Sequence, residues 1–209
     1  MSLALLGSML ATRVNIGLTG TAAAGGIAIA VKRDSTRAID RAVRRRIHPR
    51  RSPRVTSLAK GVSFLAGPHV HPAAAAVIGF LLRIKGNGAG YGPAVASTAA
   101  LGVDNVMRLF VHQKRPPKAG RHRAHHRYAY PSGHTTAATA ITVATAAEIA
   151  NDLPRSQQFL LWTTVASIAI AMGWSRLYLD EHWLDDVVGG WMAGTVLGLA
   201  AASLDTRMS

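Results

Sequence analysis

The chain has 209 residues, 49% of them hydrophobic, with 24 Lys and Arg against 10 Asp and Glu and no cysteine. That length fits one domain, residues 1–209, and the missing cysteines exclude disulfides and thiolate metal sites. A formal net charge of +14 in a soluble protein would point to nucleic acid, but apolar stretches alternate with the basic segments here, so the cations read as loops flanking membrane helices and no nucleic-acid partner is expected.

In chain order, the first apolar stretch is Val14 to Val31, which carries no charge and is long enough to just span a bilayer. Its four glycines weaken it as a helix. It lacks the charged start and the small-residue cleavage site of a secretion signal. Residues 32–54 are strongly basic. Within them Ala38, Ile39, Ala42, Val43 and Ile47 fall near helical spacing between arginines. That pattern fits an amphipathic helix lying on anionic lipid headgroups; a solvated basic loop fits almost as well.

Five further apolar stretches follow: Val62 to Leu82, broken by Pro68, His69, His71 and Pro72; Tyr91 to Val111, with Asp104, Asn105 and Arg108 inside it; Ser132 to Ala150; Gln158 to Trp174; and Trp183 to Ser203. Gly, Asn, Asp and Pro mark the turns between them, as at Lys85 to Gly90 and Asn151 to Arg155. The expected fold class is all-α. It is a polytopic bundle of five or six transmembrane helices, with a basic interfacial segment and a catalytic core over residues 62–203. Much of the apolar content is Ala and Gly, which lets membrane helices approach closely.

Ionisable groups at the ends of membrane helices are costly, which makes them functional candidates. They fall in three ordered clusters. The first is Arg108, six residues, then Arg115-Pro116. The second is Pro131-Ser132-Gly133-His134. The third is Ser175-Arg176, five residues, His182, three residues, Asp186. This pattern resembles the type 2 phosphatidic acid phosphatase superfamily. That family shows Lys-x6-Arg-Pro, then Pro-Ser-Gly-His, then Ser-Arg-x5-His-x3-Asp. The match runs from Arg108 to Asp186, and Arg108 stands where the family usually has Lys. Both are cations, but Arg forks across two oxygens while Lys is a point charge.

The residue types suit phosphate chemistry. A phosphate monoester must have its oxygens neutralised before a nucleophile approaches, and Arg108, Arg115 and Arg176 are permanent cations. Ser132 and Gly133 stand where a helix should begin, and free N–H groups there favour an anion. Ser132 is a suitable N-cap, and Gly133 permits close backbone approach. His182 and Asp186 are four apart, on one face if the segment is helical. Asp186 can then hold one ring nitrogen and leave the other for phosphorus. Asp185 lies on the same face and is a rival; the family spacing selects Asp186. His134 can protonate the leaving alkoxide. The resemblance implies these roles, with a phosphohistidine formed on His182 and then hydrolysed, and with no cofactor and no metal.

Each of these residues also has a plain structural reading, from a snorkelling Arg108 to a merely hydrogen-bonded His182–Asp186 pair. The ordered triplet outweighs those readings. His112, His122, His125 and His126 are a poor metal site, because cations surround them and no carboxylate stands among them. His69 and His71 suit a structural role near a kink, and Glu148 receives no role.

The expected activity is hydrolysis of a membrane lipid phosphate or diphosphate. Phosphatidic acid, phosphatidylglycerol phosphate, polyprenyl diphosphate and decaprenylphosphoryl-5-phosphoribose are the candidates. Lipid phosphotransfer is the enzymatic alternative. A non-catalytic basic protein binding the membrane surface is the other, and it leaves the triplet unexplained. Vanadium haloperoxidases share the motifs but are larger and soluble. With the three motif arginines set aside, sixteen Lys and Arg fall on the side of the motifs and five on the other. Such an excess normally lies in the cytoplasm. The expected location is a bacterial plasma membrane, with the site on the cytoplasmic face.

Overall fold

A computed structural model describes residues 36–86, 90–117 and 128–208, together with Gly26 and Ile29. The proposed first span, Val14 to Val31, lies almost wholly outside the described residues. Among the described residues the chain is helical: α1 Arg37–Ile47, α2 Pro53–Leu65, α3 His71–Ile84, α4 Gly92–Phe110, α5 Gly133–Ile149, α6 Arg155–Tyr178 and α7 Leu184–Met208. Short 3-10 turns follow α1 and α5. An isolated antiparallel bridge joins Lys114 to Tyr128.

Prolines set the helix starts. Pro53, Pro72 and Pro93 each occupy the first turn of α2, α3 and α4, where the missing N–H costs nothing. Ser52 caps α2, its hydroxyl accepting from the Val55 N–H at 3.3 Å. The stretch Val62 to Leu82 is not one helix. It breaks after Leu65, because Gly67 and Pro68 form a turn and Pro68 cannot continue the ladder. His71 opens the next helix, buried, with Nδ1 2.9 Å from Ser97 Oγ. That is the structural role expected for it.

Helix α5 is the centre of the bundle, packed against α4, α6 and α7, with α3 on α4 and α2 on α6. Its interior contacts are small side chains: Ala96, Ala100, Ala137, Ala140, Ala144 and Ala201 form one cluster, with Leu197 beside it. The large apolar side chains point outward instead. Phe159 is 76% exposed on α6, Leu109 71% on α4 and Phe80 63% on α3. Small residues inside and large ones outside is the reverse of a soluble core, and it suits helices packed in lipid. Among the described residues, two helices are long and apolar enough to cross a membrane by length and composition, Arg155–Tyr178 and Leu184–Asp205.

The basic segment forms helix α1, but not with all its cations outward. Ala38, Ile39 and Ala42 are exposed, whereas Asp40 is buried and Arg44 turns toward the bundle.

The α5–α7 seam depends on missing side chains. A Cβ on Gly198 would stand 2.6 Å from the Ala140 carbonyl oxygen, and one on Gly194 would stand 2.7 Å from that of Thr136. These neighbours are backbone and cannot rotate away. Gly198→Ala should therefore cost about 1–3 kcal/mol by overpacking, read as a lower melting midpoint in detergent. Gly102→Ala, on the exposed side of α4 with nothing within 4 Å, should hold or raise that midpoint.

Candidate active site

The three clusters meet at one end of the bundle because successive helices alternate in direction. Arg108 sits in the last turn of α4, His134 in the first turn of α5, Arg176 in the last turn of α6 and Asp186 in the first turn of α7. Arg115 and His182 lie in the loops that join these ends.

His182 is 3% exposed. Its Nδ1 lies 3.2 Å from Asp186 Oδ2, and its Nε2 lies 3.2 Å from an NH1 of Arg115. With Nδ1–H donating to the carboxylate, Nε2 keeps its lone pair toward the guanidinium. The pair is not made on a helix face, as the spacing suggests. His182 and Trp183 precede α7, and Asp186 reaches back from its first turn, accepting the Trp183 N–H at 2.8 Å as well. This is the reach of a third helical residue to the N-cap amide. Asp185 is turned elsewhere. It accepts from Gln113 Nε2 at 3.0 Å and from Thr36 Oγ1 at 2.5 Å.

Ser132 holds the N-cap position of α5, but its side chain caps no backbone N–H. Its hydroxyl oxygen accepts from Thr135 Oγ1 at 2.9 Å, and its own N–H donates to the Asp186 carbonyl at 3.0 Å. That second bond ties the start of α5 to the start of α7. Gly133 does allow close approach. A Cβ there would meet Asp104 Oδ2 at 2.8 Å, so the Asp104 carboxylate rests against the head of α5. The same oxygen lies 2.7 Å from Arg108 NH2.

Glu181 is the second carboxylate that residue patterns did not single out. Its Oε2 lies 3.5 Å from Arg115 NH1 and 3.7 Å from Arg176 NH2, while Arg115 also donates to its carbonyl at 2.7 Å. Arg176 donates to Ser63 Oγ on α2 as well. The only hint of Glu181 in the chain is its place next to His182, since the pairing needs α6 and the Arg115 loop brought together.

Burial, then the charges of Arg115 and Arg176 and those of His134 and Arg108, hold His182 well below the ordinary histidine value. The five groups therefore share one electrostatic environment. Of the loop histidines, His122, His125 and His126 lie outside the described residues, and His112 packs its ring 4.7 Å from that of Tyr128.

A family model described as the PAP2 superfamily matches residues 88–207, more than half of the chain. The chain belongs to that superfamily, a family of phosphatases. Phosphatidylglycerophosphatase B of Bacillus subtilis (strain 168) is 26% identical to this PAP2 protein over 109 residues, 51% of this chain and 53% of that one. The chain thus matches about half the length of that curated relative. Its fold is that of the first transmembrane PAP2-type phosphatidylglycerolphosphate phosphatase from Bacillus subtilis, solved by crystallography. The TM-score is 0.79 at 20% identity, covering 94% of this chain and 97% of that one.

A histidine held neutral by burial keeps its lone pair into acid. The acid limb of kcat/KM against pH, corrected for the substrate's own second ionisation, should therefore lie below about pH 6.5, the ordinary histidine midpoint. An acid limb at or above that value would contradict the environment described for His182.

Proposed function

We propose that this PAP2 protein is an integral-membrane lipid phosphate phosphatase, a single domain of 1–209 that crosses the bilayer five or six times. The observation that carries the reading is the line Asp186–His182–Arg115, with 3.2 Å on either side of the ring. A neutral imidazole oriented by a carboxylate, with its unprotonated nitrogen facing a guanidinium, is an arrangement for nucleophilic attack on a phosphate drawn to that cation.

In this reading the phosphate oxygens bind Arg108, Arg115 and Arg176, with Ser132 and the Gly133 amide at the head of α5. His182 Nε2 attacks phosphorus and the bond to the lipid oxygen breaks. His134 gives its proton to the departing alkoxide. The Nδ1 proton stays on the ring toward Asp186, which stabilises the positive charge formed there. His134, now a base, takes a proton from water as that water attacks the phosphohistidine; the nitrogen–phosphorus bond breaks and His182 returns to neutral. Three guanidiniums supply the charge neutralisation that a divalent cation supplies elsewhere. The relative's name favours phosphatidylglycerol phosphate among the candidate lipids, ahead of phosphatidic acid and polyprenyl diphosphate.

His182→Ala should lower phosphate release from phosphatidylglycerol phosphate by at least about a thousand-fold without loss of folding. EDTA should leave turnover unchanged and vanadate should inhibit. Near-native turnover by His182→Ala, or a strict need for added magnesium or zinc, would sink the mechanism. Transfer of the phosphate to an added alcohol, rather than its release, would reassign the reaction as phosphotransfer.

The site is further proposed to face the cytoplasm, supported by the sixteen-to-five distribution of Lys and Arg. In this cysteine-free chain an Arg123→Cys variant should resist a membrane-impermeant thiol reagent added to intact cells. Labelling from outside would reverse the orientation.

A further inference from the structure

The loop that carries His182 departs from an ordinary backbone conformation two residues earlier. Asp180 has φ +53°, in the left-handed region that L-residues other than glycine, asparagine and aspartate seldom enter. Its side chain is charged and only 2% exposed. The backbone turn is closed locally, as helix ends commonly are: the Asp180 N–H donates to the Leu177 carbonyl at 3.2 Å and the Glu181 N–H to the Arg176 carbonyl at 3.0 Å. The burial of the carboxylate depends on partners from elsewhere.

The partners of Asp180 come from the basic segment more than a hundred residues earlier. Arg44 Nε lies 3.0 Å from Asp180 Oδ1, and its NH2 lies 3.3 Å from Oδ2. Arg51 NH1 lies 2.8 Å from Oδ2, and His48 Nε2 stands 3.9 Å from the same oxygen. Arg44 also donates to the Pro117 carbonyl at 2.8 Å. One guanidinium therefore binds the segment leading into His182 to the segment leaving Arg115. The Ser52 N–H donates to the Tyr178 hydroxyl at 2.8 Å, and the Arg51 guanidinium lies 5.8 Å over the Tyr178 ring.

A second tie lies on the far side of His182. Asp40 Oδ1 accepts the Asp185 N–H at 3.2 Å, and Thr36 bonds the Asp185 carboxylate. Helix α1 thus grips the catalytic loop both before and after the histidine. A narrow cavity between them is lined by Asp40, Arg44, Asp180 and His182.

The geometry points to Asp180 as a positioning residue. Arg44 and Arg51 clamp its carboxylate, and the clamp holds the loop in the conformation that aims His182 at the phosphate. The inference rests on His182 as the nucleophile and goes beyond that reading. It makes the basic segment part of the active-site frame, in addition to any contact of its exposed face with lipid. Each guanidinium that pairs here is turned away from the outer surface, and the carboxylate could not stay buried without them.

The test uses the full chain in detergent micelles with dioctanoyl phosphatidic acid as substrate. Asp180→Asn keeps the shape and removes the charge. Asp180→Gly removes the charge but frees the left-handed backbone. Both should lower kcat by about 10–100-fold, the scale of a misplaced catalytic group, with KM changed less than about two-fold and the melting midpoint nearly unmoved. Arg44→Lys should recover part of the kcat that Arg44→Gln loses. Amide exchange over residues 178–184 should quicken in Asp180→Asn and Arg44→Gln. The arginine variants are partly exposed at the mutated side chain, so they serve if the aspartate variants fail to fold. Wild-type kcat in Asp180→Asn beside an inactive His182→Ala would overturn the clamp alone, as would unchanged exchange across the loop. Full activity in His182→Ala would instead overturn the reading of the site, and the clamp with it.

Discussion

Three guanidiniums gathered at one end of a helix bundle repel one another, and the arrangement of this protein follows from that constraint. Arg115 and Arg176 have side chains 12% and 8% exposed, and Arg108 13%. Cations taken that far from water need compensation. Asp104 supplies it to Arg108, and Glu181 stands between Arg115 and Arg176. The helix ends converge because these pairs, together with the Ser132–Asp186 backbone bond, close the space between α4, α5, α6 and α7. His182 is left with one carboxylate at its back and one guanidinium in front.

The opposite end of the bundle uses a different compensation. Asp205 accepts the Gly90 and Tyr91 N–H groups at 3.1 and 2.7 Å, tying α7 to the turn ahead of α4. Between these two ends the helices touch through Ala and Gly, so little but backbone separates their axes. The close packing is what allows side chains far apart in the chain to share one small site.

Much of this is legible in the sequence. The clusters around Arg108, Ser132 and His182 have internal spacings that survive as helix-end positions, because a turn and a cap are local features. The broken stretch from Val62 to Leu82 was legible too, in its prolines. Glu181, Asp104 and Asp180 were not, since each acts through a partner that only the packed bundle brings near. Arg44 shows the limit most clearly. Helical spacing in residues 32–54 suggests a helix with arginines toward lipid headgroups, and nothing in that spacing says one of them crosses 136 positions to reach Asp180. The helix-face argument for the His182–Asp186 pair does not hold, because its histidine lies ahead of the helix rather than on it; the motif spacing alone selected the pair.

The carboxylates of Asp104 and Glu181 already rest on the guanidiniums of the proposed phosphate site. In the proposed reading, a phosphate arriving there meets a positive field that is already partly occupied. On that reading it would exchange for anions the protein itself carries, much as a resin releases one bound ion to take another. Such an exchange discriminates by charge density: a monoester dianion can displace a carboxylate, while a singly charged phosphodiester of the surrounding bilayer has little advantage over it. On the proposed function, the same competition would act on the inorganic phosphate left after hydrolysis, with Asp104 and Glu181 placed to reclaim their partners.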